Sequence, residues 1–256
     1  MLRKATVEQW ALIDRDSPRQ AIGDWRAPLV LVTAAICLII PKHFGSAESF
    51  HRFPWLVAAF SGLPYPDLHP HLFWASSKLL NYGLVPWLCI RFVLRSTLAD
   101  HGVRFAWEPK VWALYAAMLA LVLPLAYLVA STPAFARTYP KYAGASESLS
   151  QLLLWEAAYA FQFLMLEFFF RGFLIFALSR FIGSLAIFVM IVPYAMIHLS
   201  KPLAECVGSI VTGIALGTVA LRTRSIYGGV LVHSAIGFGM DIFALMAKGK
   251  LPPLHG

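Results

Sequence analysis

Apolar residues in this chain occur in long, nearly unbroken runs that are separated by short breaks rich in proline, glycine and polar residues. A helix needs about 20 mostly apolar residues to cross the hydrocarbon core of a membrane. Seven runs come near or exceed this length and predict membrane-spanning helices over residues 27–42, 72–94, 111–132, 149–178, 181–200, 203–223 and 226–247. The run at residues 53–63 is too short to span and predicts an interfacial or re-entrant helix.

The pattern therefore predicts an all-α fold, a multi-pass transmembrane bundle of seven to eight helices with a polar cavity among its C-terminal spans. It divides the chain into an extramembrane segment, a set of N-terminal helices, a C-terminal core and a short tail. These four parts are residues 1–26, 27–148, 149–247 and 248–256.

Composition supports a membrane protein. Hydrophobic residues make up 59% of the chain and charged residues only 13%, with a mean hydropathy of +0.68. An ordinary soluble domain carries about 25% charged residues, so a soluble enzyme is excluded. The net charge of +8 does not indicate nucleic acid as a partner, because the basic residues are spread between the apolar runs instead of forming a patch.

The positions of Lys and Arg predict the orientation of the chain, because these residues are more frequent in cytoplasmic loops. With the N-terminus in the cytoplasm, twelve of them fall on the cytoplasmic side, eight on the other side, and Arg171 lies within a span. The twelve include Arg3, Lys4 and Arg19. We therefore expect a cytoplasmic N-terminus.

Ionisable residues are nearly absent from the spans before residue 148 and frequent after it. A charge at the centre of a bilayer costs roughly 2.5 to 3.5 kcal/mol on insertion scales, so charges inside spans indicate function. Seven candidate site residues lie in or at the ends of the C-terminal apolar helices: Glu156, Glu167, Arg171, His198, Glu205, His233 and Asp241.

The strongest signal is Glu167 followed four residues later by Arg171, which places both side chains on one helix face in the favourable order. A buried Glu beside an Arg can remain ionised and accept a proton from water. The alternative is an ion pair that only allows both charges to enter the membrane.

Glu156 lies three helical turns before Glu167, about 16 Å away, which excludes a catalytic carboxylate pair. We expect Glu156 to stabilise the entrance of its helix, with a substrate-channel role as the alternative.

Other intramembrane chemistries fit less well. No segment reads H-E-x-x-H, although two histidines and a carboxylate could hold zinc, which stays open as an alternative. Ser234 adjoins His233, but neighbouring helical positions point about 100 degrees apart. Asp241 has no evident partner for an aspartyl dyad.

Three features together resemble a known family. They are the segment Glu167-x-x-x-Arg171-Gly172-Phe173-Leu174, an aromatic residue four positions before His198, and His233 in the final span. This combination is similar to the CAAX prenyl protease and bacteriocin-processing family of intramembrane glutamate endopeptidases, over about residues 149–241. Its motifs are Glu-Glu-x-x-x-Arg, Phe-x-x-x-His, and His-x-x-x-Asn or a small variant of it.

The resemblance implies an endopeptidase of a bacterial inner membrane that cleaves a membrane protein or peptide, or a lipidated substrate, without a cofactor. Glu167 would activate water and Arg171 would orient it. His198 and His233 would stabilise the oxyanion, and Asp241 and Glu205 would supply polar support. The chain departs from the family motifs at three positions, with Leu166 for the first Glu, Tyr194 for Phe and Gly237 for Asn.

Two other functions remain as alternatives. A non-catalytic immunity or peptide-binding protein could use the same cavity, and a transporter could use the same charges as a proton relay. The protease hypothesis requires Glu167, His198 and His233 to converge on one water-accessible cavity. It also predicts a site without metal, because the Arg171 guanidinium would repel a dication.

Overall fold

The computed structural model describes residues 7–16 and 23–253, and these residues form helices and connecting turns without a β-strand. The α-helices are α1 (Val7–Asp16), α2 (Arg26–Phe44), α3 (Pro54–Phe60), α4 (His69–Lys78), α5 (Val85–Leu88), α6 (Pro109–Val129), α7 (Pro133–Thr138), α8 (Leu149–Glu167), α9 (Phe176–Ile182), α10 (Leu185–Met196), α11 (Leu203–Thr223) and α12 (Tyr227–Ala247). Three π-helical segments extend them, Leu79–Leu84, Cys89–Val93 and Phe168–Ile175. Short 3-10 helices form Ala47–Arg52, Pro66–Leu68, Ala99–His101 and Ala143–Ser146. Arg3, Lys4 and Arg19 lie outside the described residues.

Five helices of the described chain are long and apolar enough to cross a membrane: α2, α6, the continuous helix Leu149–Ile182, α11 and α12. They confirm the prediction of an all-α, multi-pass fold. The other two predicted spans are helical as well. Residues 69–93 are interrupted by two π-helical segments, and the run at 181–200 contributes the 12-residue helix α10. The predicted interfacial element corresponds to the short helix α3.

The chain forms two compact units. Unit 1 comprises Met1–Ile36, Tyr82–Trp112 and Leu166–Gly229, and unit 2 comprises Cys37–Asn81, Ala113–Met165 and Val230–Gly256.

Unit 1 is built around the π-helical segment Phe168–Ile175, whose eight residues are all buried. α10 and α11 pack against each other and against this segment. Gly217 on α11 allows the close approach, because a Cβ there would lie 2.9 Å from Cδ1 of Ile175 and 3.2 Å from Cγ2 of Ile187. Small residues at helix contacts bring backbones together in this way in membrane proteins.

The N-terminal helix α1 is part of unit 1. Asp14 accepts hydrogen bonds from the Ser184 backbone N–H (2.7 Å) and hydroxyl (3.0 Å), just before α10 begins. Trp10 donates to the hydroxyl of Thr218 on α11 (3.1 Å). A further ion pair joins Asp16 to Arg222 at 3.7 Å. α1 is therefore attached to the ends of both helices that pack on the π-helical segment.

Unit 2 has an aromatic core between α4, α8 and α12. Its buried members are Leu68, Tyr142, Ala145, Leu152, Trp155, Tyr159 and Leu245. Tyr142 donates a hydrogen bond to the side chain of Gln151, and burial raises the pKa of this phenol to about 12. Tyr142 is therefore a neutral donor inside the core.

We predict that Gly217→Leu destabilises the protein, because the added side chain must displace Ile175 and Ile187. Overpacking of this kind costs about 1–3 kcal/mol, so the midpoint of thermal unfolding in detergent should fall. Gly208→Leu on the same helix is the matched control, since a Cβ there meets no atom of the described residues within 4 Å. Equal midpoints for the two variants would contradict the packing described for Gly217.

Candidate active site

Glu167 and Arg171 form an ion pair in the middle of the helix Leu149–Ile182. Glu167 is the last residue of α8, and Arg171 lies one turn later in the π-helical segment. Arg171 Nη1 is 2.9 Å from Glu167 Oε1, and both residues are fully buried. The four-residue spacing thus produces the contact that the sequence predicts, although the helix changes from α to π between the two residues.

The partners of the pair explain how two charges are held in an apolar interior. The guanidinium carbon of Arg171 lies 4.5 Å from the ring centroid of Tyr194 on α10, a cation–π contact. A Cβ on Gly229, in the first turn of α12, would overlap Oε2 of Glu167. Gly229 therefore allows the carboxylate to approach the α12 backbone, a role that no motif in the sequence indicates.

The phenylalanines around the pair belong to the core of unit 1. Phe169 stacks on Tyr82 with ring centroids 4.5 Å apart, and Phe170 packs edge-on against Tyr194 at 5.1 Å. Both phenylalanine side chains are fully buried. Phe170 therefore packs on the same Tyr194 ring that Arg171 contacts, and the pair lies in an apolar interior, where the attraction between its charges is stronger than in water.

His198 follows α10 and is linked to the pair through Tyr194. The two aromatic rings are 4.7 Å apart, and His198 Nδ1 lies 2.8 Å from the backbone oxygen of Tyr194. A carbonyl oxygen can only accept, so Nδ1 carries the proton in this bond. This bond orients the imidazole ring of His198. The structure thus joins Glu167, Arg171, Tyr194 and His198 in one continuous line of contacts within unit 1.

Glu205 lies in the first turn of α11, close to His198 in sequence. Its carboxylate pairs with Lys201 at 2.9 Å, and both side chains are partly exposed. The thiol of Cys206 donates to the backbone oxygen of His198 at 2.8 Å. This turn therefore fixes the backbone of His198 through its neighbours on α11.

His233 belongs to unit 2, where its ring stacks on Phe163 with centroids 5.5 Å apart and an interplanar angle of 8°. One turn later, Gly237 occupies the position at which the family carries Asn. A Cβ at Gly237 would lie 2.5 Å from Cε2 of Phe163 and 3.2 Å from Cε1 of Tyr159. The glycine therefore leaves room for the aromatic side chains that pack against it.

Asp241 connects three parts of unit 2. Its Oδ2 accepts a hydrogen bond from Trp155 Nε1 at 2.6 Å, and Oδ1 accepts one from the Lys141 backbone N–H at 3.1 Å. Asp241 is fully buried, and Glu156 is buried on α8 next to Trp155. These bonds give Asp241 a structural role in addition to any role in the site.

The structure thus groups Glu167, Arg171 and His198 in unit 1 and places His233, Glu156 and Asp241 in unit 2. The convergence of Glu167, His198 and His233 on one cavity stays a prediction. Within residues 7–16 and 23–253, no group of three or more His, Cys, Asp or Glu side chains is arranged to hold a metal ion.

These features define a multi-pass membrane protein with a buried Glu–Arg pair on one of its membrane helices. Residues 148–239 match the family model described as type II CAAX prenyl endopeptidase Rce1-like. This match confirms the resemblance inferred from the motifs, and the matched family is one of proteases. No curated protein and no solved structure matches the chain.

We predict that Arg171→Ala lowers the stability of the protein strongly, because Glu167 would remain as a buried charge without its partner. Breaking a buried pair in this way costs about 3–5 kcal/mol. Lys201→Ala is the matched control, since it breaks the partly exposed pair with the same spacing and should cost less than about 1 kcal/mol.

Thermal unfolding in detergent measures both effects. Adding Glu167→Gln to Arg171→Ala should recover part of the lost stability, because the remaining carboxamide is neutral. Equal losses for Arg171→Ala and Lys201→Ala would contradict the buried pairing.

Proposed function

We propose that this chain is an intramembrane glutamate-type endopeptidase that hydrolyses a peptide bond in a membrane-associated or lipidated substrate. The observation that carries the proposal is the buried Glu167–Arg171 pair, at 2.9 Å, within a region that matches a family of CAAX prenyl endopeptidases. Hydrolysis inside a membrane needs a base that stays ionised away from bulk water. A carboxylate paired with a guanidinium meets that need.

In the proposed reaction, Glu167 takes a proton from a water molecule, and the oxygen of that water attacks the carbon of the scissile carbonyl group. The carbonyl π electrons move to oxygen and form a tetrahedral oxyanion. Glu167 then gives its proton to the leaving nitrogen as the C–N bond breaks, which yields a carboxylic acid and an amine. Arg171 holds the carboxylate in place throughout, and no cofactor takes part.

We assign His198 and His233 to binding the water and stabilising the oxyanion. With its Nδ1–H bonded to the Tyr194 oxygen, neutral His198 would hold the attacking water by accepting a hydrogen bond at Nε2. A His198 that is already protonated before the substrate binds would instead donate Nε2–H to the oxyanion. Both histidines lie within the region that matches the family model, which supports the roles proposed for them.

Leu166 occupies the position at which the family carries the first glutamate of its pair, and its side chain is buried. Glu167 is the carboxylate adjacent to that position, and it is the one that the structure pairs with Arg171. We therefore assign the activation of water to Glu167 alone.

We predict that Glu167→Gln abolishes cleavage while the protein stays folded, because the carboxamide keeps the shape of the side chain but cannot accept a proton. General-base catalysis contributes about 10²–10⁴-fold, so the rate should fall by at least about 100-fold. The assay uses purified protein in liposomes and a farnesylated peptide ending in a CAAX sequence, with a fluorophore and a quencher on either side of the bond.

Glu147→Gln is the control, because it removes a carboxylate that also bonds a side chain four residues later but is exposed and lies outside the candidate site, so it should retain activity. Full activity of Glu167→Gln would remove Glu167 as the base. Binding of the peptide by the wild-type protein without cleavage, together with cleavage by Leu166→Glu, would show that this chain is a peptide-binding member of the family.

We also predict that cleavage continues in the presence of a chelator and that the purified protein contains no stoichiometric metal. The Arg171 guanidinium beside Glu167 repels a dication and favours an oxyanion. Elemental analysis and the same peptide assay measure both quantities. A content of about one zinc per chain would instead establish a zinc mechanism, provided that a chelator removes both the zinc and the activity and that added zinc restores the activity.

A further inference from the structure

His101 is a buried histidine in a connecting loop, outside the region that matches the family. It ends the 3-10 helix Ala99–His101, between the second π-helical segment and α6. Its side chain is fully buried, and its Nδ1 lies 2.6 Å from the backbone oxygen of Gly172. Because a carbonyl only accepts, His101 Nδ1–H is the donor. Gly172 directly follows Arg171, so this bond reaches the backbone of the helix turn that carries the ion pair.

The acceptor lies in a part of the helix where the regular hydrogen-bond pattern is altered. Residues Phe168–Ile175 are π-helical, and π-helical turns occur frequently at functional sites. At the end of the segment, the Phe176 N–H is directed to the oxygens of Arg171 and Phe173. His101 supplies a donor to the oxygen of the residue between Arg171 and Phe173, from outside the helix.

The loop is packed closely enough to hold this bond in place. A Cβ on Gly172 would lie 3.0 Å from the backbone oxygen of His101. Gly102 has a φ of +78°, and a Cβ there would lie 2.8 Å from the ring of Phe176. The Gly102 oxygen accepts a hydrogen bond from the Ile226 N–H at 3.0 Å. Gly102 and Gly172 thus bring the loop into contact with the π-helical segment. The hydrogen bond from Ile226 holds the loop in place.

His101 is uncharged, so its imidazole ring carries one N–H group that can donate a hydrogen bond. Burial lowers the pKa of His101 to about 4, and the nearby Arg180 guanidinium, with Nη2 3.5 Å from His101 Nε2, also disfavours the imidazolium. The imidazole is therefore neutral near pH 7. Its one proton is on Nδ1 and is directed at Gly172.

We propose that His101 is a positioning residue, whose hydrogen bond to the Gly172 oxygen fixes the π-helical segment so that Arg171 holds Glu167 ready to activate water. This inference rests on the proposed function for its effect on catalysis. The effect on the backbone of the segment can be measured without any substrate, which keeps the two proposals separable.

The test compares three substitutions in the full-length protein. In His101→Asn, the side-chain N–H can replace the one on Nδ1, whereas the amide of His101→Gln extends towards the Nε2 position and His101→Leu has no donor. His51→Leu is the control, because His51 also lies in a 3-10 helix but is exposed. Hydrogen exchange of residues 168–177 is measured by mass spectrometry, and kcat and KM are measured with the farnesylated peptide.

We expect faster exchange in this segment for the Leu and Gln variants and exchange close to wild type for the Asn variant. A shift of about 1 Å in a catalytic group can cost about 100-fold in rate. The Leu and Gln variants should therefore lose about 100-fold in kcat with KM little changed, and the Asn variant should recover most of the rate.

Wild-type exchange in His101→Leu would overturn the proposal, and so would equal losses in the Asn and Leu variants. A lower unfolding temperature with unchanged kcat would also overturn it, because His101 would then be merely structural. If the wild-type protein cleaves no peptide, the proposed function fails, while faster exchange in the Leu and Gln variants alone would still support the positioning of the segment by His101.

Discussion

The arrangement of unit 1 depends on placing a Glu and an Arg together in an apolar interior. Removing two charges from water costs several kcal/mol per ion, and their mutual attraction offsets this only with good geometry and further partners. The structure supplies the geometry in the Glu167–Arg171 contact and a further partner in the ring of Tyr194. It also supplies space, since Gly229 leaves room for the carboxylate. Tyr194 and Gly229 thus both help to accommodate the buried charges of Glu167 and Arg171.

Much of this could be predicted from the sequence, because the relevant signals are local. Long apolar runs indicated the membrane helices, and a spacing of four residues indicated the contact between Glu167 and Arg171. The π-helical segment left no such signal, since its residues are almost all apolar and nothing in their order distinguishes a π-helix from an α-helix. The bond from His101 to Gly172 joins residues 71 positions apart, and only the folded backbone brings them together.

The departures from the family motifs have different physical explanations. Tyr194 keeps an aromatic face for the guanidinium, so the exchange of Phe for Tyr preserves the contact that matters. Gly237 leaves room for the rings of Phe163 and Tyr159, so a glycine there fits the packing in unit 2. Neither explanation was accessible from the motifs, because each depends on a partner from another part of the chain. Leu166 is buried, and nothing in the structure explains why a glutamate is missing there.

The attachment of α1 also closes a long loop of the chain. Asp14 accepts hydrogen bonds from Ser184, which lies 170 positions later, and Asp16 pairs with Arg222. Bringing such distant residues together costs conformational entropy. These contacts are therefore expected to form only once the start of α10 and the end of α11 are in place.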